Sequence, residues 1–290
     1  MAAKPFVSVV VPHYQDLGGL AACLDALGRQ DYPADRFEIV VADNNSPVGE
    51  AAVAAVISGR ARLTVVTEKG AGMARNGGAK LARGEVFAFT DSDCVPDPGW
   101  LTAGVEALDH YDLVGGAMKV SVRDPAAPSP VEAFELVFAF QNEAYVRDKG
   151  FTVTANLLCR RDVFEKAGDF RDRVSEDVEW CRRATAAGFR LGYAAGAVVT
   201  HPARRDWPEL ERKLGRMARE TFHLTLETPR GRLRWFLRSL ALPASALAHT
   251  PQALTSPALG TAAARWGALT TLYRSRFWRA RENLRLLAEP

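Results

Sequence analysis

Asp91-Ser92-Asp93 sets two carboxylates one residue apart, directly after the apolar run Val86-Phe87-Ala88-Phe89. Two anions at the mouth of a buried strand repel each other and are poorly solvated, so a divalent cation is their natural counterion. Magnesium or manganese held by one or two carboxylates completes its shell with phosphate oxygens, which points to a phosphorylated ligand. The triplet alone is common, and a solvated turn is the alternative; its position after a strand gives it weight. Arg75 lies in the glycine-bounded segment Gly70–Gly78 at a helix start, where a guanidinium can meet phosphate. That segment half-matches a dinucleotide fingerprint, with Asp91 where a ribose-binding acid would stand. Arg75 occupies the third glycine position, however, and the segment follows the third strand instead of the first, which disfavours hydride transfer. Glu176-Asp177 opens a helical pattern, where the helix dipole by itself accounts for either acid and proton transfer is the sharper reading. His201, at the end of an extended run, offers a ring nitrogen to a metal or is an ordinary half-buried histidine.

The elements that must position these groups alternate. Val7–Pro12, Phe37–Ala42, Leu63–Val66 and Val86–Phe89 are apolar strands, with helical stretches at Leu20–Leu27, Glu50–Ile57 and Ala71–Ala82 between them. Continuous apolar strands joined through helices imply parallel pairing and right-handed crossovers, with ligands at the carboxyl ends of the strands. His13-Tyr14, Asp43-Asn44-Asn45-Ser46 and Asp91-Ser92-Asp93 stand at three of the four ends. Farther on, 131–145 reads as a helix, Phe151–Cys159 as a strand, Val163–Ala167 as a short helix and Glu176–Ala187 as a clear helix closed by Gly188. Arg190–Thr200 is extended. The expected division is a catalytic domain over 1–205 and a basic amphipathic helical extension over 206–290.

Bulk properties bound the reading. The 290 residues are 48% hydrophobic and 24% charged, as in ordinary globular proteins. Cys23, Cys94, Cys159 and Cys181 are scattered, without a Cys-x-x-Cys pair, and read as buried free thiols. No membrane-spanning or signal-peptide pattern occurs, so a cytoplasmic protein is expected. The net charge of +3 is uneven: from Arg204 onward 16 basic residues face 7 acidic ones, a surplus of nine, and the remainder carries −6. Basic and aromatic residues border the apolar faces of this tail. It reads either as a cap on the main domain or as a peripheral attachment to the inner, anionic face of the cell membrane.

Taken in order, the motifs resemble those of the family 2 glycosyltransferases, inverting enzymes of the GT-A fold. The resemblance runs from Val7 to about Pro202. It comprises the first strand with Pro12, Asp43-Asn44-Asn45-Ser46, Ala74-Arg75-Asn76-Gly77-Gly78, Asp91-Ser92-Asp93, Thr154-Ala155-Asn156, Gly168-x-Phe170, Glu176-Asp177 and His201. The implied fold is α/β, a mostly parallel twisted sheet flanked by helices, with the helical extension behind it. The resemblance implies that Asp43 contacts the nucleobase, with Pro12 and Tyr14 lining its pocket. Arg75, Asp91, Ser92 and Asn156 complete the donor-binding set. Asp93, with Asp91 and His201, holds the manganese or magnesium ion. Asp177 is the implied general base and Glu176 its neighbour near the acceptor. The Gln-x-x-Arg-Trp motif and transmembrane helices of processive polysaccharide synthases are missing, which implies a single addition.

The expected partners are a nucleotide-diphosphate sugar, a uridine diphosphate form first, and a saccharide or small-molecule acceptor, a lipid-linked saccharide or surface-polysaccharide precursor among them. An anionic membrane surface is a further partner; nucleic acid is not expected. Two rival readings remain at this level. One is a sugar nucleotidyltransferase, which would want a glycine-rich loop where His13-Tyr14-Gln15 stands; the other is a non-catalytic binder of nucleotide sugars or nucleic acid.

Overall fold

The computed structural model describes residues 4–289. Its first four strands are β1 (Val7–His13), β2 (Phe37–Asp43), β3 (Arg62–Val65) and β4 (Val86–Phe89), with α1 (Leu17–Leu27), α2 (Glu50–Ile57) and α3 (Ala71–Leu81) between them. Then come β5 (Val95–Pro96), α4 (Trp100–Ala107), β6 (Leu113–Ser121), α5 (Pro130–Phe138), α6 (Asn142–Lys149), β7 (Leu157–Arg160), α7 (Arg161–Ala167), α8 (Glu176–Ala186) and β8 (Leu191–Pro202). Three helices follow: α9 (Trp207–Leu226), α10 (Gly231–Thr255) and α11 (Ala262–Ala288).

The strands form one eight-stranded sheet in the order β3-β2-β1-β4-β7-β6-β8-β5. The expected parallel half is β3-β2-β1-β4. Beyond β4 the sheet turns mixed, since β7 runs antiparallel to both β4 and β6, and β5 runs antiparallel to β8. Side chains alternate across the parallel strands. Val7, Val9, Val11, Ile39 and Val41 pack on one face with Leu20, Leu24 and Trp100, while Val10, Val40, Phe87 and Phe89 pack on the other with Phe164, Phe170 and Trp180. Burial on both faces is why these strands are apolar throughout. The helix expected over 131–145 is two helices, α5 and α6, with Gln141 in a non-helical conformation between them (φ −133°, ψ 54°). Asn142, the first residue of α6, donates to the Gly116 carbonyl (2.6 Å) and to Thr152 (2.9 Å), which ties α6 to the sheet.

The chain separates into two compact units. The first comprises the chain to Lys119, Gln141–Asp172 and Glu176–His201, and contains the sheet. The second takes in Val120–Phe140, Arg173–Ser175 and the chain from Pro202, and is helical. It therefore draws on chain well before residue 206. Within it the apolar face of α9 is covered: Leu210, Leu214, Ala218 and Phe222 are buried at four-residue spacing. Glu135 of α5, 1% exposed, receives Lys213 Nζ at 2.7 Å and lies 3.6 Å from Arg204. Among the described residues no helix is long and apolar enough to cross a membrane. All four cysteines are buried free thiols.

One expected donor-binding residue turns out to hold the sheet. Asn156 is fully buried, donates to the Ala117 and Ala197 carbonyls (2.9 Å each) and accepts from Trp100 Nε1 (2.9 Å). Gly116 makes room for it, because a Cβ there would sit 2.4 Å from the Asn156 amide nitrogen and 2.1 Å from the Ala197 carbonyl oxygen. Both amide N–H groups and one acceptor direction of its oxygen are thus engaged inside the core. Asn156→Ala should strand those buried partners and lower the unfolding free energy by about 3 kcal/mol, read by urea denaturation. Wild-type stability in that variant would remove the structural role.

Candidate active site

Parallel pairing brings the ends of β1, β2 and β4 to one edge of the sheet. The last residues of β1 and β2, His13 and Asp43, are register partners, and His13 Nδ1 lies 2.8 Å from Asp43 Oδ1. The Ser46 backbone N–H donates to Asp43 Oδ2 (2.9 Å) and its hydroxyl to Oδ1 (2.5 Å). Both Asp43 and His13 are 1% exposed. Burial alone would raise the Asp43 carboxyl, but the Ser46 and His13 contacts outweigh it and hold it below its ordinary value. Pro12 is buried in β1 beside this pair, and Tyr14 just beyond is 55% exposed. Sequence reasoning places His13 among the strand-end groups able to meet a nucleotide or cation but not as the partner of Asp43; its one signal is a titratable group closing an apolar strand. Its Nε2 is buried with no partner among the described residues.

Asn44 carries order to the next element. Its amide donates to the Val66 and Glu68 carbonyls (3.1 and 2.6 Å) and accepts from Gly70 N–H (2.9 Å). Gly70 takes φ +126°, left to glycine, and starts α3. One turn later Arg75 is buried, its side chain only 3% exposed. Its guanidinium pairs with two carboxylates: Nη2 reaches Asp91 Oδ1 at 2.5 Å and Nη1 reaches Glu176 Oε1 at 2.9 Å, while its buried Nε has no hydrogen-bond partner among the described residues. Burial opposes its charge, but Asp91 and Glu176 outweigh burial, Asp177 adds to them, and its pKa stands above the ordinary value. The acids at the end of β4 and the start of α8, far apart in sequence, thus surround one cation. Asn76 secures the second side: its amide donates to the Phe170 carbonyl and accepts from the Phe170 N–H, both at 2.9 Å. Phe170 packs edge-on to Phe89 at 5.4 Å and against Trp180 at the same distance, so the segment before α8 is held on α3 and β4.

Asp177 is half-buried at the second position of α8. The Asp91–Asp93 turn rests on α1: the Cys23 thiol reaches the Asp91 carbonyl at 3.6 Å, and a Cβ on Gly19 would approach the Ser92 carbonyl to 3.1 Å. Asp93 Oδ2 lies 3.5 Å from His201 Nε2, which β8 delivers from the opposite half of the sheet. The ligand atoms of Asp93, Cys94 and His201 all fall within 4.8 Å of one another. Burial, then Asp91 and Asp93, pushes the Cys94 thiol well above its ordinary value. The carboxylate of Asp93 and the imidazole of His201 offer donors suited to a divalent cation, while the Asp91 carboxylate lies outside that group and meets Arg75. The structure thus brings Arg75, Asp91 and Glu176 into one cluster and Asp93, Cys94 and His201 into a second, with the His13–Asp43 pair at the same ends of the strands.

Comparison with known proteins agrees with this geometry. The model of the glycosyl transferase family 2 matches residues 8–168. Glycosyltransferase AglE of Haloferax volcanii is 34% identical over 208 residues, which cover 69% of this chain and 68% of that protein. The pre-mycofactocin glycosyltransferase of Mycobacterium tuberculosis and the validoxylamine A glucosyltransferase of Streptomyces hygroscopicus are each 31% identical over 153 residues. This chain spans only 32% and 36% of their lengths. The solved mannosyltransferase PcManGT from Pyrobaculum calidifontis, in complex with GDP-Man and Mn2+, superposes with a TM-score of 0.65 over 98% of this chain and 88% of that one, at 23% identity. At that identity the likeness establishes the fold, a GT-A-type α/β sheet, and the sequence matches establish the rest: the chain is a glycosyltransferase belonging to glycosyl transferase family 2.

Proposed function

We propose that this glycosyltransferase moves one sugar from a nucleotide-diphosphate donor to an acceptor hydroxyl with inversion at the anomeric carbon. The observation that carries the reading is Arg75, whose guanidinium holds Asp91 and Glu176 at 2.5 and 2.9 Å. It supports a site in which a donor-side carboxylate and the start of α8 keep a fixed separation. On this reading Asp43 takes the nucleobase between Pro12 and Tyr14, and Asp91 and Ser92 take the ribose and diphosphate. Asp93, Asp91 and His201 hold manganese or magnesium, which when bound supplies positive charge opposite a departing diphosphate. Asp177 accepts the proton of the acceptor hydroxyl as the new bond to C1 forms, and Glu176 orients that acceptor. A base acting opposite the leaving group gives a single in-line displacement, hence inversion.

The resemblance favours a uridine diphosphate sugar, while the Pyrobaculum neighbour was solved with GDP-Man. A screen for donor hydrolysis with manganese, with both bases present, reads the choice directly. Release of pyrophosphate from a nucleoside triphosphate and a sugar phosphate would instead establish a nucleotidyltransferase. The basic helical unit favours an acceptor presented at a membrane surface, a lipid-linked saccharide being the first candidate.

Asp177→Asn should lower turnover by about 100- to 10,000-fold, the usual worth of a positioned general base, and leave donor affinity near wild type. Turnover close to wild type would exclude Asp177 as the base. Asp93→Ala should abolish the manganese-dependent rise in thermal stability that donor nucleotide confers, and excess chelator should do the same to the wild-type protein. Full activity in chelator would refute metal dependence.

A further inference from the structure

The sheet sets a thiol beside the candidate metal ligands. β5 pairs antiparallel with β8 through Val95↔Thr200 and Pro96↔Val199, so one step back along the ladder Cys94 stands opposite His201. Residues opposite each other in such a ladder share a face, with Cβ atoms about 5 Å apart. The Cys94 N–H donates to the Asp91 carbonyl at 3.1 Å, which fixes the turn that also carries Asp93. A ladder and a turn thus bring one sulfur, one carboxylate and one imidazole together, and the ligand atoms of Asp93, Cys94 and His201 lie within 4.8 Å of one another. Cys94 is fully buried and His201 nearly so.

The spacing suits one ion. His201 Nε2 and Asp93 Oδ2 are 3.5 Å apart, close to the roughly 3.3 Å that nitrogen and oxygen keep when both bind a tetrahedral zinc at about 2.0–2.1 Å. By the same geometry the sulfur needs about 3.6 Å to each, within reach of a small turn of the Cys94 side chain. Donor type then selects the ion. Magnesium and manganese favour oxygen, a thiolate with an imidazole favours zinc, and affinity for mixed sites generally rises from manganese through cobalt to zinc. Three protein donors also leave a fourth position open on a tetrahedral ion, as in catalytic zinc sites. The neighbouring thiol, Cys23, is directed elsewhere: it reaches the Asp91 carbonyl at 3.6 Å and lies outside the convergent group.

We propose that Cys94 is a third ligand of the cation site, so that beside manganese or magnesium the site takes a borderline-soft divalent ion, zinc or cobalt, more tightly through sulfur, nitrogen and oxygen. As the metal–sulfur bond forms, the thiol proton passes to water. The inference rests on the reading of Asp93 and His201 as metal ligands. Cobalt(II) added to the untagged, intact chain reports the ligands without any turnover. A sulfur-to-cobalt charge-transfer band in the near ultraviolet should appear, together with the strong visible absorption of a four-coordinate ion. Cys94→Ser should lose the band, whereas Cys23→Ala should keep it. Zinc affinity, read by competition with a chelating dye, should fall at least about 100-fold in Cys94→Ser, the upper end of what losing a hydrogen-bond partner of a metal ligand costs. Manganese affinity should change far less. The wild-type spectrum decides the point even if a variant fails to fold: cobalt bound without the band would overturn Cys94 as a ligand and leave the oxygen and nitrogen donors standing. A band that survives Cys94→Ser would do the same. Failure to bind either cobalt or manganese would overturn the metal site and this inference together.

Discussion

The candidate site depends on one buried cation. Removing a guanidinium from water costs several kcal/mol, which nearby carboxylates must offset. Arg75 meets Asp91 on one side and Glu176 on the other, so the turn after β4 and the first turn of α8 cannot separate without leaving that charge uncompensated. The same arrangement constrains the acids. Asp91, Glu176 and Asp177 would repel if gathered alone, and the shared cation lets three carboxylates face one region. Neighbouring amides fix the frame: Asn44 sets where α3 begins, and Asn76 ties α3 to the segment that leads into α8. A site with this much fixed geometry is prepared to orient a ligand before the ligand arrives.

The parallel half of the fold is legible because its strands are buried on both faces, and nothing but continuous apolar runs satisfies that environment. In the antiparallel half β7 and β8 fall on the extended runs Phe151–Cys159 and Arg190–Thr200, but β6 has no such signal. β6 contains Gly115 and Gly116 and changes from buried to partly exposed along its length, so it carries neither a continuous nor a cleanly alternating pattern. Its glycines answer to contacts with Thr152 and Asn156 from distant parts of the chain, and no local window contains that information. The break between α5 and α6 has the same origin, since Asn142 is recruited by the Gly116 carbonyl, 26 residues away.

Residues at strand ends were the most legible part of the site, because topology alone places Asp43 and Asp91 on one edge. Side-chain commitment was the least legible. Asn156 and Arg75 carry the polarity of ligand-binding residues, and both also have partners within the protein: strand carbonyls and an indole for one, two acids for the other. A motif records that a polar residue is needed at a position, and the distance to its partner decides whether the need is binding or support. His13 is the reverse case, a polar residue inside an apolar strand that pairs with Asp43.

The two units treat buried positive charge differently. In the sheet-bearing unit the buried guanidinium is neutralised by the protein itself, which gives rigidity. In the helical unit a single carboxylate, Glu135, faces two cations, Lys213 at 2.7 Å and Arg204 at 3.6 Å, and burial followed by Arg204 holds the Lys213 pKa below its ordinary value. A buried cation that faces two carboxylates is fixed between them, whereas one that shares a single carboxylate with a second cation is held less firmly.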